Sequence, residues 1–219
     1  MPKNELHILT AEEVDEGAQR IRSRSHHPYE DLGLYYIILA TGARPLEIAR
    51  LEVRDYLEPD GCVRSASEFR PDVAINGRSR PLLFRSARLD QALDRYLSQR
   101  AAREVGVGAD HTYRGLNPMS RLFLSSSGLG FEITAFESND QKQYQCRGIL
   151  EAYRKIFRYA GFKNMTALRL RQTVAARLYA RGASDAQVGL LLGIAEPSAV
   201  RAQFPRDRRT LEELAVDLI

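Results

Sequence analysis

Residues 32–43, LGLYYIILATGA, form the longest apolar run in the chain. The run is far short of the roughly 20 residues that a membrane-spanning helix needs. It therefore reads as a helix buried in a protein core. Gly42 closes that helix, predicted over about 30–41, and Pro45 fits the first turn of the next one, which runs to about Arg50. The corner between them carries Arg44, with Glu47 three residues on. An arginine placed there is either a solvated charge paired with Glu47 or a fixed guanidinium positioned for a phosphate.

The neighbouring elements follow from periodicity and punctuation. Thr10 and Glu13 have the spacing of a capping box and start a helix in LTAEEVDEGAQRIRSR. Between about 53 and 84 the pattern breaks into short pieces, and Asn76-Gly77 has the composition of a type I′ hairpin turn. A small antiparallel sheet of two or three strands is expected there. Leu89, Leu93 and Leu97 recur every four residues and predict a helix. The segment 104–141 reads as a loop-rich insertion, with FEITAFESNDQKQ its most flexible part. From 145 onward the pattern is helical, with Gly182 and Gly193 as breaks and a last helix over 210–219. The fold class is α+β, mainly α-helical with a small antiparallel sheet, in a single domain over 1–219.

The net charge of the 219 residues is +4, a mild excess that is unevenly spread. Between 142 and 209 there are fourteen Lys and Arg against four acids, Glu151, Asp185, Glu196 and Asp207. A basic helical half is the footprint of a polyanion partner, unless its charges are simply solvated helix faces. Cys62 and Cys146 have no zinc or CxxC spacing and read as reduced thiols of a cytoplasmic protein. The N-terminus has no signal-peptide shape, and no membrane association is expected.

Four blocks in order resemble the catalytic domain of tyrosine recombinases, the phage-integrase family. They are LTAEEVDEG, LGLYYIILATGARPLEIARLEVRDY, VAINGRSRPLLF and AYRKIFRYAGFKNMTALRLRQTVAARLYARGASDAQVGLLLGI. The resemblance covers roughly 8–218 and leaves no room for the family's separate core-binding domain. It implies a DNA partner, no cofactor and no metal, and attack of a tyrosine on a phosphodiester. That chemistry needs a cationic clamp, a proton donor and a phenol in line. Arg44 and Arg171 match the family's two arginines, and Glu47 its site-ordering acid. The family's two histidine positions fall on Leu168 and Ile194, and its tyrosine on Gln203 or Phe204. The histidines are His7, His26, His27 and His111, there is no tryptophan, and Tyr179 is the last tyrosine. The hairpin lysine is replaced by Arg78 and Arg80, whose pKa is too high for efficient proton donation.

The resulting expectation is a duplex-DNA-binding protein that does not cleave, with Arg44, Arg78, Arg80, Lys163, Arg169 and Arg171 facing phosphates. It would act as an accessory or regulatory factor in recombination or integration of a mobile element. An active recombinase or a second copy would dock through 210–219, unless that helix folds back on its own core. Three alternatives stay open. One is an active but divergent recombinase, with Tyr179 or Tyr159 as a relocated nucleophile or a tyrosine donated by a partner chain. Another is a helix-turn-helix transcription regulator built on GASDAQVGLLLGIAEPSAVRAQF. The last is a protein-interaction module that no longer binds DNA.

Overall fold

The computed structural model describes residues 8–138 and 141–204. The expected terminal helix over 210–219 lies outside them. Helix α1 (Ala11–Arg24) opens with the capping box foreseen at Thr10 and Glu13. Helix α2 (Pro28–Thr41) is the apolar run, and it is buried along most of its length, including Leu34, Tyr35, Ile37 and Ile38. It packs against α1, against α5 (Ala87–Ala102), and against α6 (Arg147–Ala160) and α7 (Ala167–Ala180). Being apolar on all sides, it needs partners on all sides.

Gly42 caps α2 at φ 63°, a left-handed conformation natural to glycine. Helix α3 (Pro45–Arg50) follows at once, then α4 (Val53–Tyr56). The start of the expected sheet region is thus helical. Asp55, at the third position of α4, accepts the Glu52 N–H and favours the turn. One two-stranded sheet forms, with β1 (Ser67–Phe69) antiparallel to β2 (Arg80–Leu82). The type I′ turn at Asn76-Gly77 is not formed. That turn needs positive φ at both residues, and here Gly77 has it while Asn76 does not. The chain instead turns twice, at Arg70–Ala74, where the N–H groups of Val73 and Ala74 both donate to the Arg70 carbonyl, and at Ala74–Gly77, where the Gly77 N–H donates to the Ala74 carbonyl. Arg70 is held there by Asp55 and Glu52.

Residues 104–133 are mostly irregular, with a short 3₁₀ turn at Thr112–Gly115. Within FEITAFESNDQKQ two strands form where a loop was expected. β3 (Thr134–Ser138) pairs antiparallel with β4 (Gln141–Gln145). These strands have few apolar residues to alternate, so their backbone ladder left little trace in composition. Helices α8 (Asp185–Leu192) and α9 (Pro197–Gln203) complete the described chain. With α7 they enclose a second, smaller core of Val174, Ala175, Val188, Leu192, Val200 and Phe204.

Candidate functional site

The site is built where α2 ends, α3 begins and the C-terminal end of α8 arrives. The Arg44 N–H caps α3 by donating to Glu47 Oε2 at 2.8 Å. Glu47 is completely buried. It accepts Arg80 Nη1 at 2.8 Å and Nη2 at 2.7 Å, a bidentate pair, and the Ile75 N–H at 3.3 Å. Burial pushes the Glu47 carboxyl up. The hydrogen bonds and charge of Arg80, then the Arg44 N–H and guanidinium, outweigh that and leave it below the ordinary carboxylate value.

Arg80 also donates Nε to the Leu191 carbonyl at 3.1 Å, and its guanidinium lies 3.9 Å from the centre of the Phe69 ring. It is 4% exposed. Its expected place on a phosphate-facing surface is therefore corrected: β2 points it inward and Glu47 occupies both of its terminal nitrogens. Arg171 is equally buried. Its Nε donates to Gly42 O at 2.8 Å and its Nη2 to Leu192 O at 2.7 Å. Asn76 Nδ2 lies 3.5 Å from Gly193 O. Three successive carbonyls at the end of α8 are thus held by Arg80, Arg171 and Asn76. The negative end of a helix dipole favours cationic donors there.

Arg44 and Arg171 do come together at this corner with Glu47 and Arg80, and their charges interact. Arg44 keeps a quarter of its side chain exposed and stands 4.0 Å from Glu47 Oε1. Burial lowers its pKa, Glu47 partly restores it, and Arg80 lowers it again. Arg171 falls to about 10, first through burial, then through repulsion from Arg44, with Glu47 opposing and Arg80 adding to the drop. Among the described residues, three guanidiniums share this corner with a single carboxylate. Arg44 has no side-chain hydrogen bond, and Arg171 Nη1 has no protein acceptor among the described residues. Those are the donors left for an incoming anion.

The other expected positions are spread more widely. Arg78 and Lys163 are exposed and Arg169 is half-buried, and none has an ion-pair partner among the described residues. Leu168 is 43% exposed on the first turn of α7. Ile194 is half-buried just past α8. Phe204 is 2% exposed, with the Arg171 guanidinium 5.7 Å from its ring centre. Tyr179 is buried and donates to Asp185 Oδ1 at 2.9 Å. Tyr159 lies on α6, where its carbonyl accepts Arg24 Nη1.

No protein-family model matches the chain. No curated protein matches it either. Solved structures do. The crystal structure of XerA recombinase aligns over 98% of this chain and 62% of its own, at 19% identity and a TM-score of 0.64. XerH site-specific recombinase in a post-cleavage complex with palindromic difH substrate aligns over 96% of this chain and 52% of its own, at 22% identity and a TM-score of 0.62. The Tn1549 transposon integrase with circular intermediate DNA aligns over 97% and 66%, at 16% identity and a TM-score of 0.56. The fold is that of a tyrosine-recombinase catalytic domain. The chain spans roughly half to two thirds of the length of these recombinases.

A tyrosine-recombinase-like fold makes the corner, the β1–β2 hairpin and α7–α8 converge, as the order of the sequence blocks implied. It also argues against an autonomous helix-turn-helix in α8–α9. The end of α8 is secured by Arg80, Asn76 and the Gly42 corner, all far upstream. Sequence reasoning missed the capture of α8 carbonyls, because backbone acceptors carry no residue signature. It also missed the cation pairing in the first half. Arg54, Arg70 and Arg121 all converge on Glu52. In the second half Lys142, Arg147, Arg154, Arg158, Lys163 and Arg169 have no acidic partner among the described residues. Net composition hides this difference between a charge neutralised at home and one left for a partner. Among the described residues no helix is long and apolar enough to cross a membrane.

Proposed function

We propose that this protein binds duplex DNA through the Arg44–Arg171 corner without cutting it, as an accessory or regulatory factor in recombination or integration of a mobile element. The observation that carries the reading is the imbalance at the corner, where three guanidiniums face one carboxylate and the adjoining aromatic ring is Phe204. A buried excess of positive charge is costly and is relieved by an anion. A phosphodiester supplies one. The recombinases of like fold that were solved with difH substrate and with circular intermediate DNA support DNA as its source. The phenylalanine ring has no hydroxyl to attack phosphorus. Leu168 and Ile194 cannot transfer a proton, and an arginine holds its own too tightly to protonate a leaving oxygen. What remains is recognition: a charge clamp whose affinity comes from phosphate contacts. The unpaired cations Arg78, Lys163 and Arg169 extend that surface.

The test is an electrophoretic shift at two salt concentrations with duplex DNA, joined to a denaturing gel with nicked suicide duplexes. Binding that weakens with salt is expected, with no covalent adduct. Arg44→Ala should lower affinity across sequences and reduce the log–log salt slope by about 1. A wild-type protein that ignores DNA at low salt, or an Arg44→Ala variant that binds like wild type, would dismiss the corner as the DNA site. An adduct on the suicide duplex would dismiss the non-cleaving role.

A further inference from the structure

The β3–β4 hairpin is unexplained by the corner. Its register pairs Thr134 with Gln145 and Phe136 with Gln143 on one face, and Ala135 with Tyr144 and Glu137 with Lys142 on the other. Both faces of the ribbon are open to solvent. On the second, the Arg50 guanidinium lies 5.1 Å from the Tyr144 ring centre, with Tyr144 still 45% exposed, and Lys142 is 5.9 Å from it on the same strand. The first carries Phe136, 38% exposed, beside exposed Thr134 and Gln143 and half-buried Ser138 and Gln145. None of those four polar side chains has a hydrogen-bond partner among the described residues. An isolated two-stranded ribbon is marginal in water. Here the Arg50–Tyr144 contact ties it to α3, the helix that Arg44 caps.

We propose that this ribbon enters the major groove of duplex DNA and reads base edges with Gln143 and Gln145. The major groove admits a two-stranded β-ribbon. Glutamine pairs in bidentate fashion with adenine, and phenylalanine packs on the thymine methyl group, so the first face fits an A·T-containing site. Charge agrees with that partner. Arg50, Lys142 and Arg147 flank the ribbon without ion-pair partners among the described residues, against the exposed Glu137 opposite Lys142 and Glu132 at the base. An open groove of about 750 Å³ at that base is lined by polar and apolar side chains together, among them Ser125, Leu129, Phe131, Glu132, Gln145 and Arg147. Only the length of α3, about 9 Å at 1.5 Å per residue, separates the two ends of that helix. One duplex can thus meet the corner through a phosphate and the ribbon through the adjoining groove.

The proposal rests on the DNA-binding reading, and the experiment separates the two. A duplex library with a randomised core is bound, selected and sequenced with wild type, with the Gln143→Ala/Gln145→Ala variant and with Arg44→Ala. Wild type should enrich an A·T-containing motif. The double variant should lose that preference by roughly 5- to 100-fold per glutamine, while keeping its affinity for unselected duplex, its salt slope and its melting temperature. Arg44→Ala should weaken binding to all sequences and keep the motif. If the double variant still enriches the same motif, or wild type binds with no preference, the ribbon does not read bases and the corner reading survives. If no duplex binds at all, both fall.

Discussion

Replacing Glu47 by glutamine removes the only carboxylate that the described residues place at the corner and nearly conserves volume. Arg80 would remain buried at 4% exposure, with its two charge-assisted bonds downgraded to at most one neutral acceptor. Breaking one side of a buried ion pair costs about 3–5 kcal/mol. For a domain of this size each kcal/mol lowers the melting temperature by about 2–4 °C. A drop on the order of 10 °C is expected. Three guanidiniums would then repel one another without a counter-charge, so phosphate should restore more stability to the variant than it adds to wild type. The assay is a thermal melt in chloride and in phosphate at matched ionic strength. The pH dependence adds a second check. Glu47 titrates below its ordinary value of 4.5 in the fold, so its contribution is present above that value and lost as pH falls through the folded one. Wild type and variant should converge in acid. A loss of less than about 1 kcal/mol at pH 7, or equal gains from phosphate in both proteins, would refute the reasoning.

Other expectations follow from single contacts. Burial, helped by Asp31 and opposed by Lys155, pushes the Glu30 carboxyl up to about 7. A raised carboxylate favours the fold below its unfolded value, and that advantage disappears as pH rises through the folded one. Glu30→Gln should therefore stabilise the protein at pH 8 and not at pH 4.5, read by urea unfolding. Gly193 sits at φ 69°, and a Cβ there would lie 3.0 Å from Arg80 Cζ; at Gly182, φ 87°, a Cβ meets nothing within 4 Å. Both alanine variants bear the left-handed strain of about 1–2 kcal/mol, and Gly193→Ala should melt lower than Gly182→Ala by the added clash. Phe204→Tyr puts a phenol beside Arg171 but leaves Leu168 and Ile194 in place. Suicide duplexes should still give no adduct, and an adduct would mean that the hydroxyl alone was missing.

The helices could be anticipated in the sequence because their signals are local. The Thr10–Glu13 box, Gly42 as a left-handed cap, Pro45 in a first turn and the Leu89–Leu93–Leu97 stripe each act within one or two turns. The strands were harder. β1 and β2 are joined through successive turns at Arg70–Ala74 and Ala74–Gly77, and Arg70 at the first is ion-paired to Asp55 and Glu52, residues outside the hairpin. β3–β4 has no apolar face, so periodicity says little about it. At the candidate site, the meeting of Arg44, Glu47 and Arg171 followed from the order of the blocks. The inward turn of Arg80 did not. NGRSR has the composition of an exposed polar turn, and distant partners, Glu47 33 positions away and the Leu191 carbonyl, draw that guanidinium into the core.

The corner combines two tasks that chemistry normally keeps apart. Arg171 and Arg80 hold the last carbonyls of α8 and so fix the small C-terminal core against the main one. Arg44 holds nothing except a distant share of Glu47. Removing Arg171 strands two buried carbonyls, each of which costs about 1–3 kcal/mol when left unsatisfied, whereas removing Arg44 strands none. The two arginines that resemble a single catalytic clamp are therefore unequal here. One is tied into the architecture whether or not an anion is present, and the other is free to answer to the anion alone. The shape of the corner is thus independent of any group that would transfer a proton, because the Arg171 guanidinium is anchored by the protein's own backbone.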